Sequence, residues 1–283
     1  MTAPIGRLTG SEVVHVRPAG GSAAEVFRAT LADGREVVAK SAAEGSSVAE
    51  AAGLSWLAAA NAVPVPVVHG HDERWLVLDW VPPGEPTPEA AERFGRQLAA
   101  LHASGASAFG CPPPGGPADA WIGAAPMRNE PGPDWPEFFV SHRIEPYLRA
   151  ADLPDPRPVR EVCERIAELA GPPEPPARLH GDLWSGNVLW GSDGVHLIDP
   201  AAHGGHRESD LAMLRLFGCP QLDRILGAYQ EVAPLAEGWR ARVPLHQLFP
   251  LLVHVVLFGG DYPARAVEAA RAALTGRGRP PTG

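Results

Sequence analysis

Apolar and polar positions alternate in short runs along the first eighty residues. "EVVHVRPAGG" (12–21) reads as a strand ending in glycines, and "AEVFRATLADGREVVAK" (24–40) as two alternating runs joined by Asp33-Gly34. An Asp-Gly pair between alternating runs is a strong hairpin signal, because the tight turn needs residues that tolerate positive φ. Lys40 then falls near the end of a third strand. "SSVAEAAGLSWLAAA" (46–60) switches to a helical period, with Leu54, Leu57 and Ala58 as its apolar stripe and Ser47 as its N-cap. "VPVPVVHGHDERWLVLDWV" (63–81) adds two strands around the polar turn His71–Arg74. The run "PPGEPTP" (82–88) breaks the pattern and marks a lobe boundary after five strands and one helix.

The remainder is mainly helical in period. Helices are predicted at about 88–103, 134–151, 156–170, 208–217, 220–232, 239–258 and 262–275, with a long Pro/Gly-rich loop at 110–133. "GPPEPPA" (171–177) is a stiff linker leading into "RLHGDLWSGNVLW" (178–190). A second Asp-Gly turn, Asp193-Gly194, then joins two short strands ending in "VHLIDP". There are no internal repeats. The expected class is α+β: a small five-stranded lobe with one main helix and a hinge (1–82), then a larger, mainly helical lobe (83–283).

Composition narrows the function classes. The 283 residues are 45% hydrophobic and 20% charged, ordinary for a globular protein. A formal charge of −9 argues against nucleic acid as a partner, since no basic excess exists to neutralise a phosphate backbone. Cys111, Cys163 and Cys219 are far apart, follow no metal or redox spacing and fit a reducing compartment. No signal pattern opens the chain, and the apolar run Leu245–Phe258 is too short to span a bilayer and contains His246 and His254. These features predict a cytoplasmic protein without a membrane partner. Among 24 basic residues Lys40 is the only lysine. What lysine offers over arginine is a compact point charge on a flexible stem, suited to phosphate oxygens.

Chemistry concentrates in two places. Asp182 and Asn187 have the D-x-x-x-x-N spacing of a phosphotransferase catalytic loop, and Asp199 follows at the end of the next hairpin. One carboxylate, Asp182, would take or orient the proton of an acceptor hydroxyl. Asn187 and Asp199 would hold magnesium on the phosphates of ATP, as hard oxygen donors do. Singly, Asp182 and Asn187 are also ordinary turn formers, and Asp199 an ordinary strand-end residue. The joint pattern favours the catalytic reading, with His180 as structural support. In the first lobe, Gly20-Gly21-Ser22 lies between two strands where a backbone can close over phosphates. Lys40 would contact those phosphates. Glu50 is read either as its ion-pair partner or as the second half of a Ser47-x-x-Glu50 capping box, with the pair favoured. The backbone from Asp79 to Val81 would face adenine. Only about ten residues separate Asp199 from "ESDLAML", which leaves little room for a peptide-binding platform, so the acceptor is expected to be small. Asp210 would brace the catalytic loop, or interact as a helix-start carboxylate with the dipole.

"LHGDLWSGN", "IDPAAHGGHRESDLAM", "EAAGLSWLA" and "DWPEFFVSHRIEPYL" together resemble the fructosamine (ketosamine) kinases, relatives of the aminoglycoside phosphotransferases in the protein-kinase-like fold. The resemblance covers most of the chain. It implies ATP- and Mg2+-dependent phosphorylation of a sugar hydroxyl on a ketoamine, followed by release of the amine, with a monomer expected. Under it Trp184, beside Asp182, would line the sugar pocket. Departures occur where the family usually has aromatics after Asp-Pro-Ala, here His203-Gly204, and where Pro-Gln-x-Asn becomes Pro126-Met127-Arg128-Asn129. Both are expected to lie near the acceptor site. The alternatives are an aminoglycoside or other small-metabolite kinase, and a silent nucleotide-binding scaffold; the latter is disfavoured because Lys40, Asp182, Asn187 and Asp199 are all present.

Overall fold

A computed structural model describes residues 2–20 and 24–276. Five strands, β1 (Val13–Gly20), β2 (Glu25–Leu31), β3 (Glu36–Ser41), β4 (Val68–His71) and β5 (Trp75–Asp79), form one antiparallel sheet in the order β1-β2-β3-β5-β4. Gly34 takes φ 86° in the β2–β3 turn, as the Asp-Gly pair predicts. Alternation buries Phe27, Ala29 and Leu31 of β2, whereas β5 buries Leu76, Val77 and Leu78 consecutively because both its faces are covered. One cover is helix α2 (Ser46–Ala58), whose Ala51 and Leu54 pack on Leu76 and Leu78.

The other cover was absent from the sequence expectation. Helix α1 (Thr2–Thr9) lays the fully buried Ile5 against Ala29, Leu31, Val37 and Val77. Eight residues containing Pro4 and Gly6 are a poor helix in isolation, and only the sheet face makes this one stable. Helix α2 also corrects two details. Gly45, not Ser47, is its N-cap; Ser47 is a buried residue inside the helix, so the capping box does not form. Ala58 is exposed, and the apolar face is carried by Leu54, Trp56 and Leu57.

The chain crosses at residues 80–87 into α3 (Pro88–Ala103), which Thr87 caps by accepting from Ala90 N at 3.2 Å. This helix packs Phe94, Leu98 and Leu101 against Ile225, Leu226 and Tyr229 of α9 (Leu222–Val232). The expected loop at 110–133 contains a hairpin, β6 (Asp119–Ile122) and β7 (Ala125–Arg128). Four-residue strands, one holding a proline, are too short to declare a period. The expected helix at 134–151 is three pieces: α4 (Trp135–Phe138), a π-helical segment Phe139–Ile144, and α5 (Glu145–Ala150). That at 156–170 divides at Arg165 into α6 (Arg157–Glu164) and α7 (Ile166–Leu169).

β8 (Ala177–Leu179) pairs with β11 (His203–Gly205), enclosing the catalytic-loop candidate and the hairpin β9 (Val188–Gly191)–β10 (Gly194–Leu197). Helices α8 (Arg207–Leu216), α10 (Trp239–Phe258) and α11 (Tyr262–Thr275) complete the lobe. By length and composition α10 could cross a membrane, but most of it is buried in the fold. Cys111, Cys163 and Cys219 are free, and burial pushes the last two thiols up to about 11.

Candidate active site

Between the lobes lies an open cleft, lined by Lys40 and Glu50 from one side and by Asp182, Trp184, Asn187 and Asp199 from the other. Tertiary folding brings these six together from four chain segments. Small-molecule sites place a few polar groups on an otherwise apolar wall.

Register puts Lys40 in the middle of the sheet, opposite Val26 on β2 and Leu76 on β5. Its ammonium is 2.8 Å from both Glu50 oxygens and 2.7 Å from Asp199 Oδ1. Burial alone would lower its pKa, but the two carboxylates outweigh this and raise it, so the amine stays protonated. Glu50 therefore serves the ion pair, and the competing capping role falls away. Helix α2 bears directly on the other lobe: a Cβ on Gly53 would come within 3.2 Å of Ala202 and 3.3 Å of Pro200, and Arg178 Nη1 donates to Trp56 O at 2.8 Å. This packing holds Glu50 and Asp199 on a common cation.

The catalytic-loop candidate is fixed from below. Asp210, fully buried on α8, accepts His180 N at 2.8 Å and Gly181 N at 2.9 Å. His180 donates from Nε2 to Ile198 O at 2.8 Å and accepts from Asp182 N at 3.3 Å; burial lowers its pKa and keeps it neutral. Gly181 has φ 83°, and a Cβ there would lie 2.1 Å from Ala201 O, so no other residue fits. His102 and Tyr229 belong to this support and were missed in the sequence. His102 Nε2 is 3.2 Å from Asp210 and its Nδ1 is 2.9 Å from Tyr229 Oη. A histidine on the buried stripe of α3, beside Phe94, Leu98 and Leu101, was the available signal.

Asn187 donates from Nδ2 to Asp182 Oδ2 at 3.1 Å and to Asp182 O at 2.8 Å. Asp182's carboxyl is pushed up to about 7, chiefly by burial; Asn187 lowers it, and the charges of Asp199 and Asp210 raise it further. A group poised near neutrality suits a general base. Asn187 keeps its Oδ1 for another partner. Asp199, with φ 54°, holds a left-handed conformation unusual for a residue with a side chain and keeps nearly half of that side chain exposed. Oxygen donors from Asn187 and Asp199 on one wall fit a hard divalent cation.

Trp184 is 38% exposed, its indole meeting Phe217 edge-on at 6.1 Å. A Cβ on Gly186 would come 2.3 Å from the indole, so that glycine lets the ring lie across the loop. Gly20 ends β1 with φ 92°; Gly21 and Ser22 lie outside the described residues. Asp79 and Val81 stand apart from the cleft wall. Asp79 donates its N–H to Val67 O and meets His69 Nε2 at 2.6 Å, so its polar groups serve the sheet edge. Val81 has no hydrogen-bond partner among the described residues.

Met127 is 1% exposed in the core, His203 is 4% exposed in β11, and Gly204 packs against Ala108 O. All three are interior packing positions. Asn129, from the same altered motif, does line the cleft.

Residues 15–275 match the family described as Fructosamine kinase. "Probable ketoamine kinase slr1563" of Synechocystis is 38% identical over 239 residues, covering 80% of this chain and 78% of that protein. "Probable ketoamine kinase TTHA1179" of Thermus thermophilus is 37% identical over 246 residues, covering 86% and 87%. A crystal structure from Thermobifida fusca, assigned as a fructosamine-3-kinase, is 53% identical and superposes with a TM-score of 0.90 over 97% of this chain and 98% of its own. The aminoglycoside phosphotransferase APH(4)-Ia, 18% identical with a TM-score of 0.64 over 99% and 100% of the two chains, shares the protein-kinase-like fold. With the family match spanning the lysine strand, the catalytic-loop candidate and the helical lobe alike, the chain belongs to the fructosamine kinase family and is a kinase that uses ATP.

Proposed function

We propose that this kinase transfers the γ-phosphoryl group of ATP to a sugar hydroxyl of a ketoamine, a fructosyl or ribulosyl adduct of lysine or of a free amine. The phosphorylated adduct is then shed from the amine, which makes the activity a deglycation. The observation that carries the reading is the placement of Asp182 and Trp184 on one cleft wall: a buried carboxylate on the same loop as an indole suited to a sugar face.

Asp182 accepts the proton of the acceptor hydroxyl as its oxygen takes the phosphoryl group and ADP leaves. Lys40, kept protonated and oriented by Glu50, neutralises phosphate charge. Asn187 and Asp199 are the residues that would hold Mg2+, which when bound neutralises further charge on the phosphates. The same reading takes the protein as a cytoplasmic monomer without nucleic-acid or membrane partners, in keeping with its net charge of −9 and free thiols.

The test is ATP turnover across a panel of fructosyl- and ribulosyl-amines and aminoglycosides, with the phosphorylated position read by phosphorus NMR. Turnover stimulated by ketoamines is expected. Stimulation by aminoglycosides and by no ketoamine overturns the reading.

A further inference from the structure

Arg143 lies in the π-helical segment Phe139–Ile144 and is 1% exposed, yet no carboxylate pairs with it among the described residues. Its guanidinium sits 4.6 Å from the ring centroid of Phe138 and 5.5 Å from that of Phe249. It donates to Arg128 O at 2.9 Å, to His142 O at 3.2 Å and to Asn129 Oδ1 at 2.6 Å. A buried cation without an anion is costly, and π-helical turns recur at functional sites.

Arginine only donates, so the atom facing it must be the oxygen of Asn129, and Nδ2 is turned away. Asn129 is itself 1% exposed and lines the cleft shared by Asp182, Trp184 and Asn187; its Nδ2 has no partner among the described residues. The backbone that carries it is clamped as well. Asn129 N donates to Ala118 O at 2.7 Å, and Tyr147 Oη donates to Pro126 O at 2.7 Å.

We infer that Asn129 recognises the acceptor: its Nδ2 donates to a hydroxyl or carbonyl oxygen of the ketoamine, and Arg143 is the positioning residue that keeps the amide turned toward the cleft. This rests on the ketoamine reading and adds the group that reads one oxygen of that substrate. A buried N–H2 unmatched by protein favours a ligand with an oxygen there and rejects one with a methylene or a second donor.

Asn129→Asp tests it, being isosteric. The new carboxylate pairs with Arg143, so the thermal midpoint should not fall, while the donor becomes an acceptor. Steady-state kinetics with a fructosyl- or ribulosyl-amine should show the ketoamine KM raised at least about tenfold, with the ATP KM changed by less than about twofold. Asn129→Ser, neutral and too short to reach, should give the same split and guards against misfolding of the first variant. Arg143→Met lets the amide turn and should also raise the ketoamine KM; Arg143→Lys, which keeps a donor for Oδ1, should restore part of it. A ketoamine KM within about twofold of wild type in both Asn129 variants overturns the inference. If the wild-type enzyme phosphorylates a different acceptor, the ketoamine reading falls, and the same KM comparison on that acceptor decides the role of Asn129.

Discussion

Lys40 Nζ donates to Asp199 Oδ1 at 2.7 Å across 159 residues of chain, while the same ammonium holds Glu50 at 2.8 Å. One cation thus fastens a helix of the small lobe and the end of a hairpin in the large one. A lysine does this because three donors on a compact head can meet two carboxylates from different directions. An arginine carries its donors on a larger, rigid plane, which needs a wider site than this buried one. Lys40→Arg is expected to lower kcat/KM by at least about two decades despite its retained charge, with the circular-dichroism spectrum unchanged. Wild-type kinetics in that variant would make the solitary lysine accidental.

Asp182→Asn keeps the side-chain shape and the contact with Asn187 but removes the proton acceptor. Turnover should fall by about two to four decades while calorimetric ATP affinity stays near wild type. Near-normal kcat would remove Asp182 from the role of base.

Asp210 accepts two backbone N–H groups of the catalytic-loop candidate and faces His102, all in the interior. Asp210→Ala leaves those donors buried without a partner. Urea unfolding should show a loss of about 3–5 kcal/mol. A loss no larger than that of an exposed-site substitution would mean that water replaces the carboxylate.

Gly186→Ala places a methyl group where the Trp184 indole lies. The ring must move, so the acceptor KM should rise several-fold, on the order of 1 kcal/mol of binding, with the ATP KM unaffected. Equal changes in both constants would indicate a general loop distortion instead.

His206 caps α8 by accepting from Glu208 N at 3.2 Å, which only an unprotonated Nδ1 can do. Burial holds both His206 and His203 down at about 3, far below the unfolded value. Because the native pKa is depressed, these neutral histidines cost nothing above about pH 6.5. As pH falls below that, the unfolded chain takes up protons that the native state refuses, and stability is lost. At pH 5 the loss is about 2 kcal/mol per histidine. Thermal midpoints measured from pH 7 to 5 should drop accordingly. His206→Asn, which retains a capping acceptor that does not titrate, should flatten the slope; an unchanged slope would place the titration elsewhere.

Much of this was legible locally. The Asp33-Gly34 and Asp193-Gly194 turns, the five strands and most of the helices follow from period and turn chemistry. So does the spacing of Asp182, Asn187 and Asp199, because a catalytic loop is short and its side chains are set by their own backbone. Where local preference was weak, packing decided. The helix at Thr2–Thr9 exists because Ile5 has a sheet to lie on, and the β6–β7 hairpin because Tyr147 and Arg143 hold its carbonyls.

By itself the sequence determined which residues carry charge and donors, and where the chain turns. It marked Lys40 as solitary and Asp182 as part of a phosphotransferase loop. Tertiary structure alone decided what each group faces. It chose the ion pair over the capping box for Glu50, sent Met127, His203 and Gly204 into the interior, and set Asn129 in the cleft lining against a buried Arg143. The physical reason is that these outcomes depend on contacts between distant segments. Which burial and hydrogen bonds such contacts satisfy leaves no periodic trace along the chain.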